Sequence, residues 1–167
     1  MSSTATAEKV SLITHQSGAI DDVKVVDLTM HLDDRGYLYE IIHRTDPYIA
    51  KFGQVYLVGN MTRGTIRAFH KHEKLWDYFC IVHGSAKFAL VDDRPDSSTY
   101  GNIRTIVLNS KKPQMIVVPP GVHHGWMGLE DDTILVSVGS EVYNKDNPDE
   151  ERVPFDSFGY DWSVKFK

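Results

Sequence analysis

The sequence predicts an all-β sandwich or barrel. Short runs rich in Val, Ile, Tyr and Phe recur along the chain, and Gly, Pro, Asp and Asn separate them. No window of about 12 residues repeats apolar positions at i, i+3, i+4 and i+7, so long amphipathic helices are not expected. The turn residues sit where tight reversals between strands need them.

The runs come in this order: VKVVDL (23–28), YLYEII (37–42), QVYLV (54–58), TIRAF (65–69), WDYFCIV (76–82), SAKFALV (85–91), IRTIVL (103–108), MIVV (115–118) and TILVSV (133–138). Each has the length of one strand. Gly84, directly after His83, predicts a tight hairpin in which glycine takes a positive φ. Pro119, Pro120 and Gly121 predict a stiff corner that ends MIVV and aims the residues after it. Short helical turns are expected around 47–51 and 148–152. Residues 1–20, rich in Ser, Thr and Ala, read as an N-terminal arm, loosely held or pairing only on assembly; residues 21–167 read as one domain.

A chain of 167 residues buries roughly 70% of its unfolded surface, so it needs neither disulfide nor metal to hold a core. A bound metal would serve chemistry. The 18 basic and 23 acidic residues leave a net charge of -5, with Lys and Arg scattered rather than striped. That argues against nucleic acid as a partner and leaves room for a small phosphorylated ligand. No apolar stretch approaches the ~18 residues of a membrane span, and the first residues lack a secretory pattern. Cys80, the single cysteine, cannot form an internal disulfide and reads as a small core residue. A cytoplasmic location is expected.

Three of the eight histidines stand in an interpretable pattern. His70 and His72 share one face of a strand, Asp77 opens the next strand, and His124 comes just after the Pro-Pro-Gly corner. His15, His31, His43, His83 and His123 read as surface or hydrogen-bonded residues.

Gly64, His70-x-His72, Asp77 and Gly84, with Pro119-x-Gly121-x-x-His124 later in the chain, resemble the two motifs of the cupin superfamily, which implies a jelly-roll barrel. Asp77 stands where Glu is usual, Pro113 where Gly is, and Gly128 where Asn is. In metal-binding cupins the positions matching His70, His72, Asp77 and His124 hold a divalent metal, and such a set suits those ions.

Longer segments resemble the dTDP-4-dehydrorhamnose 3,5-epimerase family of cupins. They are Asp34-Arg35-Gly36-Tyr37-Leu38-Tyr39-Glu40, Gly64-Thr-Ile-Arg67-Ala-Phe-His70, the stretch from Val91 through Arg94 to Gly101, Pro120-Gly-Val-His-His124-Gly-Trp126, and Pro154-Phe-Asp156-Ser-Phe-Gly-Tyr-Asp-Trp162. The resemblance implies epimerisation or keto-isomerisation of a nucleoside-diphosphate 4-keto-6-deoxy sugar by a homodimer, in polysaccharide or deoxysugar biosynthesis and without a cofactor. It makes His70 the general base, Asp156 the carboxylate that orients it, and His72 a second acid or base, as in the sugar ketoisomerases. Arg35, Glu40, Gln54, Arg67 and His124 match substrate-binding positions. Tyr37, Tyr39, Tyr56, Phe69 and Trp126 are candidates for stacking on sugar or base.

Two departures concern the chemical step. The family's enolate-stabilising lysine falls at Asp77, and its proton-returning tyrosine falls at Val136. A carboxylate at an enolate raises the barrier unless a cation or His72 supplies positive charge. The alternatives are therefore a divalent metal on His70, His72, Asp77 and His124, a metal-dependent dioxygenase, or a nucleotide-sugar-binding cupin without catalysis.

Overall fold

The computed structural model describes residues 16–165. Among these the chain forms thirteen strands and no helix. One sheet contains β1 (Gln16–Ser17), β9 (Asn102–Asn109), β8 (Ser85–Asp92), β11 (Val122–Gly128), β6 (Ile66–Lys71) and β13 (Glu151–Arg152), in that order. The second runs β2 (Lys24–Asp27), β10 (Gln114–Val118), β7 (Asp77–His83), β12 (Thr133–Gly139) and β5 (Gln54–Asn60). A separate hairpin joins β3 (His31–Asp33) to β4 (Gly36–Leu38). The β1–β9 pair is parallel; the other strand pairs among the described residues are antiparallel. This is a jelly-roll sandwich.

Side-chain alternation explains the layers. Phe79 and Ile81 on β7, Phe88 and Leu90 on β8, Ile116 and Val118 on β10, Trp126 on β11 and Leu135 on β12 form the core between the sheets. Their neighbours face outward, yet they too are buried. Met115, Val117, Tyr78 and Val138 lie beneath Ile41, Ile42, Tyr48 and Ile49. Phe69, Ala89, Val91 and Met127 lie beneath the C-terminal segment, through Val153, Phe158 and Trp162. Burial on both faces is why the runs read as continuously apolar rather than alternating. Cys80 belongs to the outward set, and burial raises its thiol to about 11, so it is an inert packing residue.

Some elements differ from the sequence reading. In 37–42 the strand ends at Leu38, because Ile41 and Ile42 leave it to cover the second sheet. The expected helical turn at 47–51 is a loop whose Tyr48 and Ile49 join the same cover. The one at 148–152 is replaced by β13, which pairs Glu151 with Lys71 and Arg152 with His70. Strand β11 is legible in the sequence only as a motif, since its Gly125 and Gly128 lower strand propensity. Gly125 is required there: a Cβ would stand 2.2 Å from the Cβ of Ala68. Residues 1–15 of the expected arm, His15 included, lie outside the described residues; beyond them β1 pairs with β9 and Ile20 enters the core.

Three connections shape the ends of the sandwich. Gly84 (φ 73°) makes the expected reversal from β7 to β8. Gly121 (φ 80°) ends the Pro-Pro corner, and its N–H donates to the carbonyl of His72 at 2.8 Å, tying the start of β11 to the end of β6. The Asp92–Gly101 loop is a clasp. Asp92, its carboxylate fully buried, accepts from Arg94 Nε (2.8 Å), Ser97 Oγ (2.7 Å) and Thr99 Oγ1 (2.6 Å). Arg94 reaches on to Asp22 at 3.0 Å. The Asp-Arg-Pro-Asp-Ser stretch is therefore scaffold. Among the described residues no helix is long and apolar enough to cross a membrane.

Candidate active site

A cavity of about 490 Å³ opens between the sheets. Its walls carry His70, His72 and Arg67 from β6 and its end, His124 and Trp126 from β11, Asp77 and Phe79 from β7, and Gln54 and Tyr56 from β5. The 141–150 segment closes one side through Tyr143, Asp149 and Glu150.

Local structure explains why the imidazoles converge. His124 lies directly across the ladder from His70, and a register shift between His124 and Trp126 lets Trp126 meet Arg67. That irregularity puts Arg67, three residues before His70, on the same inner wall, although strict alternation would place them on opposite faces. His72 lies two residues beyond His70. The ring centroids of His124 stand 6.3 Å from His70 and 5.6 Å from His72.

Each ring has a fixed orientation. His70 Nδ1 faces Glu150 Oε1 at 3.1 Å, and Arg152 holds the other Glu150 oxygen at 2.8 Å. His72 Nδ1 meets the carbonyl of Asp149. The Asp149 carboxylate in turn accepts backbone N–H groups of Glu73, Lys74 and Leu75 at 2.9 to 3.0 Å. His124 Nδ1 donates to the Val122 carbonyl at 3.1 Å. The Nε2 atoms of His72 and His124 both face Asp77 Oδ2, each at 3.4 Å.

Burial dominates the electrostatics. It pushes His124 down to about 3, helped by the neighbouring His72, so this ring is neutral. Burial also lowers His70, against the opposing pull of Glu150, which keeps its base form available. The Asp77 carboxyl is raised by burial and then by the charges of Glu150 and Asp149.

The expected residues divide. His70, His72, His124, Gln54 and Arg67 line the cavity. Gln54 Oε1 accepts the Tyr143 N–H at 3.0 Å and so holds the closing segment. Arg67 Nε donates to Asn60 Oδ1 at 2.7 Å, fixing its guanidinium at the wall. Asp156 is not there. It sits exposed in the turn after Pro154, because the chain beyond β13 crosses to the outer face of the first sheet, and Glu150 takes the place against His70. Arg35 is bound to Asp33 in the exposed β3–β4 hairpin, and Glu40 pairs with His43 at 3.1 Å; neither lines the cavity. Of the expected ligand set, His72, Asp77 and His124 place donor atoms within 4.8 Å of one another, whereas His70 turns to Glu150.

Among the aromatics, Tyr56 and Trp126 line the cavity. Phe69 is buried against Phe158 and Trp162 on the outer face. Tyr37 and Tyr39 stack on each other, 6.1 Å between centroids. Val136 packs on the outer face of the second sheet, so the residue there carries no information about a proton donor. The next residue, Ser137, pairs with Tyr56 across the ladder. Its buried Oγ faces the Tyr56 phenol. Sequence reasoning misses Asp149 and Glu150, whose acidic pair beside Pro148 reads as a helix start.

The dTDP-4-dehydrorhamnose 3,5-epimerase family model matches residues 17–166. The chain is 35% identical over 151 residues to the spore coat polysaccharide biosynthesis protein SpsL of Bacillus subtilis, covering 89% of this chain and 99% of that protein. It is 32% identical to the probable low-salt glycan biosynthesis epimerase Agl13 of Haloferax volcanii, over 87% of this chain and 96% of the relative. Among solved structures, ChmJ, a 3'-monoepimerase from Streptomyces bikiniensis in complex with dTDP-quinovose, superposes with a TM-score of 0.79 at 22% identity, covering 90% of this chain and 80% of that one.

Proposed function

Because the chain belongs to the dTDP-4-dehydrorhamnose 3,5-epimerase family, we propose that it inverts a carbon beside the ketone of a nucleoside-diphosphate 4-keto-6-deoxy sugar, with His70 as the base. The observation that carries this reading is the fixed imidazole of His70: Glu150 engages Nδ1, which leaves Nε2 for a ligand in the cavity. A hydrogen next to a ketone is acidic because the carbanion spreads onto the oxygen as an enolate. His70 takes it, and Glu150 stabilises the imidazolium that forms.

Inversion requires the proton to return from the opposite face. Tyr56 stands on the facing sheet, lines the same cavity, and is held protonated because burial raises its phenol. It donates to the carbanion there. Arg67 binds the diphosphate or the enolate oxygen through its donor fork, Gln54 holds the closing segment, and His72 and His124 line the same wall as His70.

Arg35 and Glu40 act from a second copy in this reading. Their hairpin exposes Leu32, Tyr37 and Leu38, each more than half accessible, a surface suited to a homodimer contact. The enzyme works in the cytoplasm, on 4-keto sugars linked to dTDP, the nucleotide carried by the ligand of ChmJ.

The test is isotopic. In deuterated water with a dTDP-4-keto-6-deoxyhexose, the protein is expected to place deuterium at C3 or C5, and His70→Asn to slow this by about 10²- to 10⁴-fold. No incorporation into any of several nucleotide 4-keto sugars would overturn the reading.

A further inference from the structure

His70 and His72 face the cavity, and alternation sends the residue between them, Lys71, to the outer face of the first sheet. Its side chain is largely buried there. Lys71 Nζ lies between two carboxylates, 2.5 Å from Asp93 Oδ2 and 2.9 Å from Glu151 Oε2. Burial opposes the charge on Lys71, but Asp93 and then Glu151 outweigh it and raise the ammonium above its ordinary value. The Asp93 carboxyl is lowered, first by His123, whose Nε2 stands 3.4 Å away, and then, against burial, by Lys71. Lys71 and Asp93 are therefore charged at neutral pH.

The two ends of this bridge belong to unlike parts of the chain. Asp93 is firmly held: it follows Asp92 of the clasp, and its N–H donates to the Gly121 carbonyl at 3.2 Å. Glu151 belongs to β13, a strand of two residues at the edge of its sheet. Downstream of β13, Val153 and Phe69 exchange backbone hydrogen bonds of 3.0 and 3.1 Å. Within it, side chains straddle the sheet edge. Glu151 points outward to Lys71, while Glu150 and Arg152 on either side of it line the cavity. The Lys71–Glu151 pair is thus the outward hold on the residue next to Glu150.

We propose that Lys71 is a positioning residue for the base: through Glu151 it fixes the place of Glu150 against the His70 ring, with Asp93 as its anchor. The catalytic consequence rests on the epimerase reading above. Glu150 meets His70 Nδ1 at 3.1 Å, and misplacement of about 1 Å at a reacting centre costs up to about 10²-fold in rate. Such a loss is one of alignment rather than of substrate binding, so it falls on kcat. The segment after Val91 then has a share in the chemistry: Asp92 closes the loop, and Asp93 carries that rigidity to the site from behind.

The experiment uses the full chain with a dTDP-4-keto-6-deoxyhexose. Lys71→Met keeps the length of the side chain and removes its charge. It is expected to lower kcat for deuterium incorporation by about 10- to 100-fold, with KM within about threefold of wild type. In a Glu150→Gln background the same change is expected to cost less than about twofold, since the group it aligns is already gone. Losses of similar size in both backgrounds mean a general loosening of the fold and overturn the role, as does an unchanged kcat in Lys71→Met. A second readout needs no substrate. The nitrogen NMR shift of His70 Nδ1, identified by its loss in His70→Asn, is expected to move in Lys71→Met toward its value in Glu150→Gln, and an unmoved resonance overturns the positioning. Circular dichroism verifies that the variant folds; if Lys71→Met does not, Glu151→Gln replaces it, breaking the same bridge from its exposed end. No deuterium incorporation by the wild type, with the resonance still moved in the variant, overturns the epimerase reading while the positioning stands.

Discussion

Glu150 Oε1 lies 3.1 Å from His70 Nδ1, and the residue before it, Asp149, offers its carbonyl to His72 Nδ1. One dipeptide therefore orients both histidines of the His-x-His pair. The pairing of β13 with β6 sets this up, since Arg152 opposite His70 leaves Glu150 just beyond the ladder, over the ring.

Glu150→Gln keeps the shape but removes the charge that stabilises the His70 imidazolium. The expected outcome is a fall in kcat of about 10²-fold or more with little change in KM. Asp156→Asn is expected to leave both constants near wild type. Steady-state kinetics on the two variants separates the carboxylates, and equal losses would return Asp156 to the site.

Tyr56→Phe removes one hydroxyl from the wall opposite His70. Proton abstraction should survive, so deuterium incorporation at the substrate carbon is expected within a few fold of wild type. Formation of the inverted sugar should fall by about 10²-fold. NMR reads both quantities in one sample, and parallel loss of the two would remove Tyr56 as the donor.

The Asp92 clasp predicts an acid-sensitive fold. Burial alone would raise this carboxyl, but hydrogen bonds from Arg94, Thr99 and Ser97 outweigh it and bring the pKa to about 2. The folded value lies below the unfolded value of about 3.9, so the stabilisation is complete above pH ~4 and is lost as the pH falls through about 2. At neutral pH Asp92→Asn should cost about 2–3 kcal/mol. Urea unfolding at pH 7 and pH 3 measures it; the gap between variant and wild type should narrow at the lower pH.

The strand runs and their punctuation made the sandwich legible, since buried strands need β-branched and aromatic residues whichever face they present. His70, His72 and His124 were legible because a two-residue spacing and a Pro-Pro-Gly corner constrain where side chains point. Other features were not. Glu150 reaches His70 through a β13 pairing of two residues, too short to leave a periodic signal. Tyr56 and Val136 differ only by which face of the second sheet they take, and the continuous apolar character of these strands hides that choice. Asp92 belonged to a segment shared with the family, yet its partners make it architecture rather than chemistry.

The grip of Asp149 on His72 spans 77 residues. A growing polypeptide will therefore have produced every imidazole of the pocket well before the dipeptide that aligns them emerges. Alignment of both rings therefore waits until Asp149 and Glu150 have been made and β13 has paired with β6.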